Sequence, residues 1–498
     1  MLRNISYEEL SLALMEFSTI KNSRQNSKLS IDSSVLVEPI KLVPKHPLGI
    51  RPLGNQYLGS INAKFFAGWF QILPEDLIAS LLENLDPISL LTLGSTCTYL
   101  HAFCRWDNLW RTIFTESQNS RDFSFDWLNT WRSTYLNLKS QVESKPRCDN
   151  VFSDILYRPF FCTHIPLETY TSNIPQKNQI SRLSNLSVSE YSKTWGYKPF
   201  ILTHHMKDWP IFKQWNIEYL LKHYHEVKFQ AEGVNWRLSN YIAYMKNNCD
   251  ESPLYLFDKE FYEKMNLITS ESDTSSSYWT PQCFAEDLFS VFGDERPDFR
   301  WLIIGPRRSG STYHKDPNAT SAWNAVIKGS KYWIMFPSTS SIPAPPGVYV
   351  SEDESEVTSP LSIAEWLLGF HAEARRTHGC IEGVCGEGEI LHIPSGWWHL
   401  VVNLETTIAL TQNFVPYIQL PEVIHFLKNK ANQVSGFKGD IKCPYSTFIE
   451  KMTKVHPDLL QSTQHILNTP YSKKRKLVSS AICREESEKF TFSFYNDE

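Results

Sequence analysis

The chain has 498 residues, 42% of them hydrophobic and 13% aromatic, which is enough for two or three packed domains and too apolar for a disordered chain. Its net charge of −5 and sequence pI near 6.3 exclude a broadly basic surface, so direct nucleic-acid binding is not expected. The start MLRNISYEELSLALMEF lacks a signal-peptide pattern, and no apolar run reaches membrane-spanning length. The ten cysteines carry no CxxC spacing and read as reduced, buried thiols; even Cys380 and Cys385 near His378 match no zinc module.

Residues 1–69 form an N-terminal segment with a polar stretch, KNSRQNSKLSIDSS, expected to be partly flexible. Over 70–116 the character changes. Pro74 can open a helix with Glu75 and Asp76 in its first turn, and Leu77, Leu81, Leu82 and Leu85 recur at helical spacing. Asp86 caps a second helix with Pro87 at its first position, and Leu109 and Trp110 anchor a third. A leucine-rich helical unit of this size either packs on its own chain or offers a groove to a partner. The order Leu73-Pro74, Leu85-Asp86-Pro87, Leu90-Leu91, Leu109-Trp110 resembles the F-box. That resemblance implies docking onto a Skp1-type adaptor of a ubiquitin ligase.

A less regular stretch, 117–158, reads as a linker. From 159 to 416 short β-rich runs are broken by Gly, Pro, Asn and Asp, as in a sandwich or barrel. SAWNAVIKGSKYWIMFP gives two strands joined at Lys328-Gly329-Ser330. GEILHIPSGWWHLVVNLETTIALTQNF gives three more, turning at Pro394-Ser395-Gly396 and near Leu404-Glu405. NIEYLLKHYHEV and PQCFAEDLFSVFG are helical patterns, and SEDESE at 351–356 reads as a solvated charged loop. Helices are expected again over 417–470, followed by a loosely ordered tail, 471–498, holding KKRK at 473–476.

The chemistry-bearing residues lie in the strand-rich part. His314 and Asp316 stand two apart in STYHKDP, so an extended backbone turns both to one side, suiting a metal or a hydrogen-bonded pair. His399 begins a strand after a tight turn and supplies a candidate third ligand; His392 is its rival and reads as a core histidine. Two imidazoles and a carboxylate are the facial set of non-haem Fe(II) oxygenases. Lys331 could hold the distal carboxylate of a 2-oxo acid. In TTIALTQNF, Thr407, Ala409, Thr411 and Asn413 share a small, polar face suited to lining a pocket, against an Ile408, Leu410 and Phe414 core face.

The segment 300–415 resembles the JmjC domain, and within it the JMJD6 group of Fe(II)/2-oxoglutarate oxygenases, through RWLIIGPRRSGS, HKDP, TSAWNAVIKGSKYW, PSGWWHLVVNLETTIALTQNF and, upstream, SPLYLFD. The fold implied is α+β: a small all-helical F-box, then a double-stranded β-helix (jelly-roll, cupin-like JmjC) barrel with flanking helices. Carried over by position, the resemblance implies His314, Asp316 and His399 as iron ligands and catalytic centre. It implies Lys331, Thr411, Tyr255, Asn324, Ser311 and Asn413 around 2-oxoglutarate. Ser311 stands where the relatives have threonine.

The cofactors implied are Fe(II), 2-oxoglutarate and O2. The expected activity is a lysyl hydroxylase or a histone or other protein demethylase, acting on a protein substrate such as a histone or an RNA-processing factor. The alternative is a non-catalytic or weakly catalytic F-box substrate adaptor that uses the barrel for recognition. KKRK and the family resemblance suggest a nuclear chromatin regulator, with the cytoplasm as a further location.

Overall fold

The computed structural model describes residues 43–467, apart from 59–60, 119–124, 139–145, 269–275, 339–343, 353, 361 and 440. The KKRK run and most of the N-terminal segment lie outside the described residues. Within the helical unit, Pro74 precedes the helix Glu75–Glu83 with both acids in its first turn. Asp86 accepts hydrogen bonds from the Ile88 and Ser89 amides to cap Pro87–Leu93. The helices Thr98–Cys104 and Asp107–Gln118 follow, tied by Trp110 Nε1 donating to the Cys104 carbonyl at 2.9 Å. The apolar face is split: Ile78 and Leu82 are buried, whereas Leu77 and Leu81 remain half exposed.

The described residues of the stretch read as a linker are packed. Trp127, Trp131, Cys148, Val151 and Phe152 are buried, and the Trp131 ring stacks on Trp236 with centroids 5.8 Å apart. Large aromatic rings bury well over 100 Å² each, so this run stays folded in spite of its irregular pattern. Its rings join the helical unit and the strand-rich part in one hydrophobic cluster.

Two sheets form the strand-rich part. The larger is built from β1 (Ser181–Leu183), β2 (Phe200–Leu202), β3 (Lys228–Ala231), β4 (Val234–Arg237), β5 (Leu256–Asp258), β6 (Arg300–Gly305), β8 (Ser321–Lys328), β13 (Ile390–Ile393) and β15 (Thr407–Phe414). Their spatial order is β1-β2-β13-β8-β15-β6-β5-β3-β4. The smaller holds β7 (Gly310–His314), β9 (Lys331–Phe336), β12 (Ile381–Cys385) and β14 (Trp398–Asn403), ordered β12-β9-β14-β7. A two-residue ladder joins β10 (Tyr349–Val350) to β11 (Val357–Thr358).

From β6 to β9, and again from β12 to β15, consecutive strands alternate between the two sheets. The turn Lys328-Gly329-Ser330 carries the chain from β8 across to β9, and the turns after β13 and β14 do the same. This is the jelly-roll arrangement expected. Trp333, Met335, Val401, Ala322, Val326, Leu391 and Ile393 fill the space between the sheets. Ile408, Leu410 and Phe414 face the other way into the main core, as the alternation in β15 required.

The helices Ile363–Gly369 and Leu167–Thr171 cover the outer face of the smaller sheet. Leu420–Asn429, Pro444–Val455 and Pro457–Leu467 form a separate C-terminal cluster. NIEYLLKHYHEV gives the helix Ile217–Tyr224, whereas PQCFAEDLFSVFG forms 3-10 turns. SEDESE is not merely solvated: Glu354 accepts from Lys430 Nζ at 2.6 Å and lies 3.6 Å from Lys315 Nζ.

Candidate metal centre

β7 and β14 place the two histidines opposite each other. His314 pairs with His399 and Ser311 with Val401, and the register shifts between them. One extra residue in β7 thus turns Ser311 and His314, three apart in sequence, to the same interior face. This is the effect of a β-bulge. Beyond the end of β7, Asp316 keeps an extended backbone (φ −63°, ψ 145°) and opens the short turn Pro317–Ala319. One ligand atom each from His314, Asp316 and His399 lies within 4.8 Å of the others.

Hydrogen bonds fix the imidazole tautomers. His314 Nδ1 lies 2.8 Å from the Thr312 carbonyl oxygen and His399 Nδ1 3.1 Å from that of Trp397. A carbonyl only accepts, so each Nδ1 carries a proton, and in the neutral ring it is Nε2 that offers a lone pair to a metal. Burial, then the neighbouring His314, lowers the His399 pKa, which keeps that ring neutral. Burial raises the Asp316 pKa, with His314 and Asn413 acting against it. Asp316 Oδ2 is buried without a hydrogen-bond partner. A cation resolves all three features, and a hard carboxylate with two imidazoles on one side suits ferrous iron.

Deeper in the barrel, Lys331 is fully buried and donates from Nζ to the Tyr255 hydroxyl at 2.8 Å. Burial lowers its pKa to about 7. Thr411 stands opposite Asn324 in the β15–β8 register and donates to the Trp323 carbonyl at 3.0 Å. Asn413 donates to Thr320 Oγ1 at 2.9 Å. Asn324 Oδ1 is buried without a partner. A buried ammonium, a phenol and amide groups around one interior suit an organic diacid, as a charge-assisted clamp on a carboxylate.

All nine residues singled out from the sequence line this interior. His392 does not join them: its Nε2 lies 3.2 Å from the Tyr191 hydroxyl, and its ring stacks on Phe200. Burial holds its pKa down at about 3, as fits a neutral core histidine. Two residues were missed. Asn403 is fully buried, donates to Ser309 Oγ at 2.9 Å, and pairs with Lys331 in the β14–β9 register. Trp333 sits with its ring centroid 6.0 Å from that of His399. Counting by twos from His399 and from Lys331 reaches both.

The sequence matches the cupin-like domain family over residues 193–419 and the F-box-like family over 70–116. It is 36% identical over 436 residues to the arginine-specific demethylase JMJ22 of Arabidopsis thaliana, covering 84% of each chain. It is 31% identical over 303 residues to the bifunctional arginine demethylase and lysyl-hydroxylase psr-1 of Caenorhabditis elegans, covering 58% of this chain and 71% of that one. Identity to the mouse 2-oxoglutarate and iron-dependent oxygenase JMJD4 is 30% over 204 residues, 39% of this chain and 45% of that one.

Proposed function

We propose, on the premise that this chain belongs to the JMJD6 group of JmjC Fe(II)- and 2-oxoglutarate-dependent oxygenases and carries an F-box-like module, that it oxidises a lysine or N-methylarginine side chain of a protein substrate. The observation that carries this reading is the convergence of His314, Asp316 and His399 beside a buried lysine. When bound, the iron and 2-oxoglutarate supply oxidative decarboxylation, in which one oxygen atom of O2 ends in succinate and the other in a substrate C–H bond.

The residues divide this work. The Nε2 atoms of His314 and His399 and the Asp316 carboxylate would hold the iron, and the iron would supply the oxidising chemistry. Lys331 and Tyr255 would grip the distal carboxylate of 2-oxoglutarate, with Thr411, Asn324, Ser311 and Asn413 facing the same interior. Packing around Trp333, Met335 and Val401 keeps the interior dry, which strengthens the charge pairing. On lysine the product is hydroxylysine. On an N-methyl group the carbinolamine formed loses formaldehyde, leaving the demethylated nitrogen.

The helical unit exposes apolar side chains to solvent: Trp69 at 86%, Ile88 at 76% and Ile72 at 69%, with Leu77 and Leu81 beside them in sequence. Patches of this kind mark protein contacts, and we assign this one to a Skp1-type adaptor. The KKRK run supports placing the enzyme in the nucleus, acting on chromatin or RNA-processing proteins.

Succinate formation with Fe(II), 2-oxoglutarate and histone or RNA-processing peptides, comparing wild type with His314→Ala, tests the assignment. Turnover by wild type alone is expected, with the peptide gaining one oxygen or losing one methyl group. Equal absence in both, with adaptor capture intact, overturns the enzyme reading in favour of an adaptor.

A further inference from the structure

The segment before β5 that carries Tyr255 toward Lys331 is held on one side by the Tyr241 and Tyr244 hydroxyls of the helix Leu238–Lys246 and on the other from the helical unit. Arg111, on the helix Asp107–Gln118, donates to Glu232 Oε2 at 2.8 Å and to the Ser252 carbonyl at 2.7 Å. Glu232 Oε1 in turn accepts the Tyr255 amide at 3.1 Å. The Tyr255 hydroxyl then meets Lys331 Nζ at 2.8 Å. A planar guanidinium can serve two acceptors on different elements at once; an ammonium lacks that fixed fork.

The same helix touches the β3–β4 turn that carries Glu232. A Cβ placed on Gly233 would lie 2.5 Å from the Thr115 methyl, so glycine is required there for close approach. Phe114 packs on the Trp131 and Trp236 rings, each with centroids 5.3 Å away. The helix is therefore seated on the turn and cannot shift without moving Glu232.

We infer that the helix Asp107–Gln118 of the F-box-like unit is built into the 2-oxoglutarate pocket, with Arg111 as a positioning residue that holds Tyr255 against Lys331 through Glu232. This rests on Lys331 and Tyr255 being the co-substrate grip, as proposed above. Arg111 touches neither metal nor diacid, so its effect falls on co-substrate affinity.

Calorimetric titration of 2-oxoglutarate into the Mn(II)-loaded full chain tests it. Arg111→Gln is expected to weaken binding by about tenfold, with kcat at saturating 2-oxoglutarate and KM for peptide within about twofold of wild type. Arg111→Lys should recover part of the loss. Gly233→Ala should weaken binding as well, and adding Thr115→Ser should restore it. Serine keeps the hydroxyl that donates to the Arg111 carbonyl at 2.8 Å but removes the methyl group in the way.

Wild-type affinity in Arg111→Gln and Gly233→Ala would overturn the inference. So would a loss that Thr115→Ser fails to restore, which would mark general unfolding. A wild-type chain that binds no 2-oxoglutarate overturns both readings, the pocket assignment first.

Discussion

Replacing Lys331 by methionine should make the protein more stable and unable to use 2-oxoglutarate. The ammonium is fully buried, and burial lowers its pKa from 10.5 to about 7. Between those values the unfolded chain holds a proton that the folded chain does not. The group's contribution to stability therefore rises with pH, and at pH 7 the lysine opposes folding by about 4 kcal/mol. Methionine fills a similar volume without that cost but forfeits the bond to Tyr255, about 1–2 kcal/mol. The net expectation is a metal-free, co-substrate-free protein about 2 kcal/mol more stable, melting about 2 °C higher for a cooperative unit of this size. Binding of 2-oxoglutarate should fall by roughly a hundredfold or more, since a charge-assisted clamp worth about 3 kcal/mol is removed. Calorimetry on wild type and Lys331→Met, with and without the diacid, reads both effects. A lower melting temperature in the variant, or undiminished binding, would refute the assignment of Lys331 as a destabilising, functional charge.

The same lysine predicts a pH profile: 2-oxoglutarate affinity should be flat up to about pH 7 and weaken by up to about tenfold per unit above it, because a proton must then be taken up on binding. Titrations in buffers of different ionisation enthalpy would show that uptake, and a profile flat to pH 9 would contradict it. Leu77→Ser with Ile88→Ser alters exposed side chains, so stability should change by less than about 1 kcal/mol and peptide oxidation not at all, while capture of a Skp1-type adaptor is lost. Retained capture in a pull-down would remove this face from the interaction. A Cβ on Gly310 would lie 2.0 Å from the Val401 carbonyl oxygen on the neighbouring strand. Gly310→Ala should therefore cost about 1–3 kcal/mol and weaken Mn(II) binding through its strand-mate His314; unchanged melting and metal titration would show that β7 has room to spare.

Much of the site could be read in the chain itself. Two-residue periodicity separated Thr411 and Asn413 from Leu410 and Phe414, and the spacing of His314 and Asp316 announced their convergence. The bulge in β7 was not legible, because no residue type marks an extra position in a strand; it shows only against the partner strand. Sheet switching at Lys328-Gly329-Ser330 was hidden for a related reason: a short turn between two apolar strands looks the same whether they pair or face each other. The aromatic run around Trp127 and Trp131 lacks any period, so its burial had no local signature. Helical spacing grouped Leu77, Leu81 and Leu82 without revealing that the chain covers only part of that face. The charges of SEDESE suggested water, and only the fold brings Lys430 near Glu354.

The interlocked tryptophans between the helical unit and the barrel have a mechanical result. Two modules on a slack tether sample many mutual orientations, and the reach of one toward a target gripped by the other depends on tether length. Here the hydrophobic cluster spans the junction, so the mouth of the catalytic cleft keeps a set bearing relative to anything seated on Trp69 and Ile88. An adaptor of the proposed kind docking there would meet the proposed protein substrate at one fixed angle and distance, and lengthening the intervening chain would not widen that reach.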